Sequence, residues 1–419
     1  MNNDSDHSAS GPSSPSRTTT PYNVLMIAPT MFFASYGAHV RILEEATSLR
    51  DMGHRITILA YPNGRDIAGL NVERCWGVPF NYRVIVGSSR HKFYLDAMLG
   101  LKSLFAMPRI KPDIIHAHLH EGALIGSVLS RLWRVPLIFD FQGSLTGEMT
   151  DHKWIQPESP FFKTLYWLEK QIDRWPRAIL TSSHNATELL TNEFHRPAHQ
   201  VHTIPDSVDA HTFRPGTLTP QQRAELRAQY DIPADAQVVV YLGILQDYQG
   251  IPHLIQAAKL VVEQQPNTYF LLMGFPNEAR YAALASSIGV ADHVRLPGMV
   301  PRELNVSRLA LGDIAAGPKL SATEGAGKLL CYMAMGLPVV AFDTPVSREY
   351  LGDLGMCAPP GSIEGLAEQI LSLLRDPAEA QRRGQQLRER ALERYSWEES
   401  GRQITEIYQS VCPRPGSML

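Results

Sequence analysis

Cysteine is scarce in this chain of 419 residues: there are four, Cys75, Cys331, Cys357 and Cys412, far apart and with no CxxC pair. That spacing excludes a disulfide framework or a cysteine-built zinc site and suits a reducing compartment. Long apolar runs are missing too. No stretch approaches the roughly 18 consecutive apolar residues that a membrane-spanning helix needs. Net charge is small, −3 with the 15 histidines neutral, so no broad basic surface for nucleic acid is expected. Residues 1–20 are rich in Ser, Thr, Asn and Pro and lack an apolar core segment. They read as a disordered tail, not a signal peptide, and the expected location is cytoplasmic.

What is present is a regular alternation. The length fits two domains of roughly 100–200 residues each. Val24 to Ala28 is an apolar run between Asn23 and Pro29, as expected of a buried strand in a parallel sheet. A helix is predicted over about 38–52, with Val40, Leu43 and Ala46 as its stripe and Gly53 as its stop. Further strands are predicted at 56–61, 83–86, 113–118, 136–141, 178–182 and 202–205. The pattern restarts near residue 237, with strands at 238–242, 269–273, 294–296, 313–316 and 338–342. Strand–helix alternation of this kind predicts an α/β chain with two Rossmann-like, doubly wound parallel-sheet domains. The expected division is a tail (1–20), a first domain (21–208), a second domain (209–395) and a closing helix with its tail (396–419). Ser396 followed by Glu399 is a capping-box signature for that last helix.

In open α/β sheets ligands bind beyond the carboxyl ends of the strands, and five motifs fall there. The first is Phe33 to His39, where Gly37 permits close backbone approach and a helix start offers N–H groups to an anion; a plain helix-start turn is the alternative. The second is His116-Ala117-His118-Leu119-His120-Glu121. Alternation puts His116 and His118 on one face, but no matching carboxylate or cysteine cluster is evident, so no metal site is expected. His116 reads as a core histidine, and His118 as one placed to hydrogen-bond a substrate hydroxyl. The third is Asp140 to Ser144, either an acceptor-binding turn or an ordinary turn capped by its Asp. The fourth, Gly243 to Gly250, follows a strand and precedes a helix as a phosphate loop would. The fifth runs from Gly317 to Gly336: amides at Gly325, Ala326, Gly327 and Lys328 would face a diphosphate, and Lys319 and Lys328 would neutralise it.

Together these segments resemble the retaining family-four glycosyltransferases with the two-Rossmann GT-B fold. The resemblance runs from Val24 to Val411 and includes DIIHAH at Asp113, IPDSVD at Ile204, GILQDYQG at Gly243, TEGAGKLLCYMAMGLPVVAFDTP at Thr323 and SWEES at Ser396. It implies two domains facing across a cleft, a closing helix that crosses back to the first domain, and a UDP- or GDP-linked sugar as co-substrate. It also implies transfer with retained configuration, without metal or other cofactor. The implied site comprises His118 and Glu324 at the reaction centre, with Gly243, Gln249, Gly250, Lys319, Thr323, Gly325 to Lys328 and Cys331 around the donor. Gly37, His39, Gln142 and Ser144 are on the acceptor side.

This chain departs from the family pattern at four places. Ile244 stands where the family has Arg, Gln249 where it has Lys, and Thr323 and Cys331 where it has a pair of Glu. These departures keep open a catalytically silent nucleotide-sugar-binding protein, whereas nothing specific favours an epimerase. Residues 90–111 mix apolar residues with Arg90, Lys92, Lys102, Arg109 and Lys111. They read as an ordinary packed helix or as one that lies on an anionic membrane near a lipid acceptor.

Overall fold

The computed structural model describes residues 21–33, 38–77, 92–151, 155–156, 158–320 and 325–414. The first domain's strands are β1 (Asn23–Ala28), β2 (Arg55–Ala60), β3 (Asn71–Arg74), β4 (Ile114–His118), β5 (Leu137–Phe141), β6 (Ala178–Thr181) and β7 (Val201–Thr203). The second domain holds β8 (Gln237–Leu242), β9 (Thr268–Met273), β10 (Val294–Arg295), β11 (Ile314–Gly317), β12 (Val339–Phe342) and β13 (Met356–Ala358). The sheets run β3-β2-β1-β4-β5-β6-β7 and β10-β9-β8-β11-β12-β13, and every pairing is parallel. The predicted strand at 83–86 lies outside the described residues. Strands β3 and β13 were not predicted from the sequence.

Strand order reverses between β1 and β4 in one sheet and between β8 and β11 in the other. At such a switch point the loops after the two strands diverge to opposite faces and leave a crevice at their carboxyl ends. His118 ends β4, and the loops carrying Gly243 and Lys319 follow β8 and β11.

The connection between domains is double. The backbone leaves the first domain at 204–208 and returns at 395–397, and the two passages touch. Val208 pairs with Ser396 as an isolated parallel bridge, and its N–H donates to the Tyr395 carbonyl at 2.9 Å. The returning helix, Trp397–Val411, starts with Ser396 Oγ accepting from the Glu399 N–H. Ile404, Ile407 and Tyr408 on it join the core around Val24, Ile42 and Leu49 of the first domain. Burying a side chain the size of Ile404 is worth about 1.5–3 kcal/mol, so this helix belongs energetically to the first domain although it follows the second in sequence. His54 clamps it from the side, its Nδ1 accepting from the Tyr22 N–H and its Nε2 lying 3.0 Å from Thr405 Oγ1.

Candidate active site

Two neighbouring strand ends of the first sheet set the centre of the site. His116 and His118 on β4 point to the same face and stack, with ring centroids 4.6 Å apart. Asp140 on β5 sits beside His118 in register. All three side chains are fully buried. His118 Nδ1 lies 3.0 Å from Asp140 Oδ2. That contact makes Nδ1 the donor to the carboxylate and turns Nε2 away from it. Nε2 hydrogen-bonds to no described residue. His116 turns the other way, its Nδ1 2.7 Å from the Tyr408 hydroxyl.

Carboxylates do converge on this pair, from segments distant in sequence. Helix Ala38–Asp51 brings in Arg41 and Glu45, both buried. The Arg41 guanidinium donates to Asp140 through Nε and to Asp206 through Nη1, both at 3.0 Å, and stands at ion-pair distance from Asp140 through Nη2 and from Glu45 through Nε, both at 2.9 Å. Burial opposes ionisation of Asp140, but Arg41 and His118 override it and hold the carboxyl far below the usual range. Glu45 moves the opposite way, because burial and the Asp140 charge outweigh Arg41. Burial, then His118, lowers His116. Helix residues Arg41 and Glu45 share the buried face with Ile42 and Leu43, so their polarity hid them from a reading based on apolar stripes.

The turn after β5 corrects one expectation. Its helix cap is Ser144, whose Oγ accepts from the Gly147 N–H at 3.0 Å, while Asp140 is committed to Arg41 and His118. Gln142 donates through Nε2 to Asp140 Oδ2 at 2.6 Å. His39 is 6% exposed, and burial lowers its pKa to about 4. Gly37, Thr323 and Glu324 lie outside the described residues.

From the second domain, helix Gly327–Ala334 points its N-terminus at the first. A Cβ at Gly325 would lie 2.3 Å from Asp206 Oδ2, so only glycine lets the first domain's carboxylate come this close to the loop. Ala326 and Gly327 complete the loop. Lys319 is buried and donates to the Gly325 carbonyl at 2.8 Å. Lys328 spans the mouth of the second sheet. Its Nζ donates to the Tyr241 hydroxyl at 2.8 Å and to the side-chain oxygen of Gln249. A cation therefore stands against Gln249, the position where the resemblance calls for Lys. Gly250 packs its Cα against the Pro318 carbonyl and joins the loops after β8 and β11; its φ is +77°. Cys331 sits half-buried in the same helix, and burial pushes its thiol up to about 12.

Contacts also close the sides of the groove. Arg302 pairs with Glu44, Arg65 with Glu303 at 3.2 Å, and the Tyr350 hydroxyl donates to the Ser182 carbonyl at 3.0 Å.

Known proteins agree with this architecture. The family model described as "Glycosyl transferase 4-like domain" matches residues 36–206, and that of "Glycosyl transferases group 1" matches 222–390. The chain belongs to the group 1 glycosyltransferases and is an enzyme that transfers sugars. Among curated relatives, alpha-D-kanosaminyltransferase of Streptomyces kanamyceticus is 25% identical over 303 residues, covering 71% of this chain and 77% of its own. D-inositol 3-phosphate glycosyltransferase of Thermobispora bispora is 23% identical over 401 residues, with 90% of each chain covered. Sucrose-phosphate synthase of Thermosynechococcus elongatus superposes with a TM-score of 0.78 at 19% identity, covering 92% of this chain and 98% of that one. Anabaena HepE, solved with UDP-glucose, gives 0.75 at 19% identity, covering 92% and 99%. The group 1 glycosyltransferase described here therefore has the GT-B fold, with the closing helix back on the first domain.

Proposed function

We propose that this glycosyltransferase moves a sugar from a UDP- or GDP-linked donor to an acceptor hydroxyl with retained configuration and without metal in the groove. The observation that carries the reading is the meeting of the two switch points. His118, whose Nε2 hydrogen-bonds to no described residue, stands on one side, and the N-terminus of helix Gly327–Ala334 with Lys328 stands on the other. Charge develops on the leaving diphosphate, and preoriented amides and cations aimed at it are the strongest lever an enzyme has. Lys328, set over Gln249 and Tyr241, is the cation for that task. Lys319 acts one step removed, by holding the Gly325 carbonyl. His118 Nε2 accepts a hydroxyl of the transferred sugar, with Asp140 and Arg41 fixing its ring. The leaving phosphate takes the acceptor's proton as attack occurs on the same face, so no nucleophile is assigned. Gln142 and His39 lie on the acceptor side. HepE, solved with UDP-glucose, supports a nucleotide-sugar donor.

Calorimetry with UDP and GDP tests the donor reading. Losing one charged hydrogen bond costs about 1.5–3 kcal/mol, so Lys328→Ala is expected to weaken binding roughly 10- to 150-fold. Unchanged affinity in Lys328→Ala and in its combination with Lys319→Ala would refute it. Turnover of a UDP- and GDP-sugar panel with varied acceptors separates a transferase from a binding-only protein, and inverted product would exclude the retaining mechanism.

The acceptor side is proposed to meet a membrane surface. Helix Lys92–Ile110 leaves Phe93, Tyr94, Leu101 and Phe105 exposed, and the adjoining helix Leu119–Trp133 adds Leu124, Val128 and Leu132. Lys92 pairs with Glu121, and Lys102 and Arg109 pair with Glu73, so apolar contact leads and charge assists. Absence of co-sedimentation with anionic vesicles would remove this reading.

A further inference from the structure

A second buried polar cluster lies on the side of β5 away from Arg41's helix. His120 sits in the first turn of helix Leu119–Trp133, and Glu169 and Asp173 lie one turn apart on helix Pro160–Arg174. The i, i+4 spacing puts both carboxylates on one face, and that face meets His120. The imidazole Nε2 is 3.6 Å from Glu169 Oε1 and 3.6 Å from Asp173 Oδ1. Both carboxylates are 0% exposed and His120 is 5% exposed. Phe139 and Phe141 wall the imidazole at ring distances of 5.2 and 5.3 Å.

Hydrogen bonding here is lopsided. Glu169 accepts from the N–H groups of Leu145 and Thr146 and from the Thr146 hydroxyl. Neither oxygen of Asp173 hydrogen-bonds to any described residue, and neither does His120 Nε2. Arg196, which acts on Asp173 through space, directs its guanidinium to the carbonyls of Arg174 and Pro176 and to Gln200. A buried carboxylate without a hydrogen-bonded partner costs several kcal/mol, and for Asp173 Arg196 offsets this only through space. The Arg41 cluster meets the same demand with a guanidinium set among three carboxylates; here only an imidazole is in contact, and the Arg196 guanidinium acts from a distance.

The spacing fits a metal ion. Tetrahedral zinc with bonds near 2.1 Å sets its ligand atoms about 3.4 Å apart, close to both 3.6 Å separations here. The three ligand atoms lie within 4.8 Å of one another. One imidazole nitrogen and two carboxylate oxygens form a donor set that zinc accepts, and the two carboxylates neutralise its charge. We propose that His120, Glu169 and Asp173 form a buried site for one divalent metal ion of the zinc type. The site lies outside the groove, and the ion's role is positional. Glu169 also caps the helix Leu145–Asp151, which directly follows Gln142 and Ser144, so the ion ties that loop to helix Pro160–Arg174.

The test uses the untagged full-length chain, stripped with chelator and titrated with zinc chloride. One zinc per chain is expected, bound at least tenfold more tightly than by Asp173→Asn or His120→Gln, with zinc raising Tm in the wild type alone. Both substitutions nearly preserve size, and circular dichroism checks their fold. Should either fail to fold, hydrogen exchange on the wild type decides. Zinc-dependent protection of helices Leu145–Asp151 and Pro160–Arg174 supports the site; protection elsewhere or none overturns it. A wild type that takes up no zinc, or variants that bind it equally, also overturns it. So does an Asp173→Asn chain with unchanged Tm and a wild type indifferent to zinc, the result expected if Asp173 is simply protonated. None of these readouts involves donor or acceptor, so they stand or fall apart from the transferase reading.

Discussion

Replacing Arg41 by methionine removes the cation from between Asp140, Asp206 and Glu45 while leaving most of the side-chain volume. Removing one partner of a buried ion pair costs about 3–5 kcal/mol, because the other charge stays in place without compensation. Three features of the site bear on where the value falls. Asp140 is 0% exposed and cannot recover hydration. It keeps two charge-supporting contacts, His118 Nδ1 at 3.0 Å and the Gln142 side-chain N–H at 2.6 Å. Glu45 adds little, since burial and Asp140 already favour its protonated form. The middle of that range, about 4 kcal/mol, is roughly three powers of ten in the folded-to-unfolded ratio. For a domain near 200 residues, that is a fall in Tm of about 8–16 °C. Acid gives a second reading. Asp140's folded pKa is depressed, so its stabilisation is fully present above its unfolded value near 4 and is lost as pH falls through the depressed one. Without Arg41 the folded value rises, the loss starts at higher pH, and the acid-unfolding midpoint moves up. Urea unfolding at pH 7.5 and an acid titration followed by circular dichroism measure both. A loss under about 1 kcal/mol with an unmoved acid midpoint would refute the claim that Arg41 is what makes a buried Asp140 tolerable.

Three further outcomes follow from the same architecture. Gly250→Ala places a Cβ 1.9 Å from the Pro318 carbonyl oxygen at a φ of +77°, so the loops after β8 and β11 must part; calorimetry is expected to show at least a tenfold loss of UDP or GDP affinity, and unchanged affinity would detach these loops from the donor. Gly401→Val meets Ser48 Oγ, 2.2 Å from the position of the added Cβ, and is expected to lift the returning helix at a cost of about 2 kcal/mol in thermal unfolding. Burial lowers His54 to about 4, so its contribution is present above the unfolded value near 6.5 and is lost as pH falls toward 4. Amide exchange in helix Trp397–Val411, corrected for intrinsic pH dependence, should accelerate between pH 6.5 and 4.5, and less so in His54→Gln.

The two sheets were legible where strands are buried on both faces, because a run such as Val238 to Leu242 has no other economical use. The edges were not. Asn71 to Arg74 forms β3 with four polar or half-exposed positions, and β13 is three residues long. An edge strand presents one side to solvent and needs no apolar run. The loops of the site were legible from their places after strands, and His118 from its alternation with His116. The groups that give those residues their chemistry were not. Arg41, Glu45 and Asp206 come from two distant segments, and charges on a buried helix face read as interruptions of the stripe. Asp173 and Glu169 met His120 only through tertiary packing. Lys319 was read from its charge as a phosphate ligand; its contact with the Gly325 carbonyl of its own loop had no signal in the sequence.

The side-by-side passages at Val208 and Ser396 govern how the halves move. One flexible cord would let them swing and twist freely, whereas a pair of straps laid next to each other works like the pin of a door. Bending across the pin disturbs little, while torsion or sliding would shear the strap apart and pull the last helix from its seat. A pivot of this kind would hold any opening to one arc, with Asp206 meeting Gly325 and Arg302 meeting Glu44 on its return.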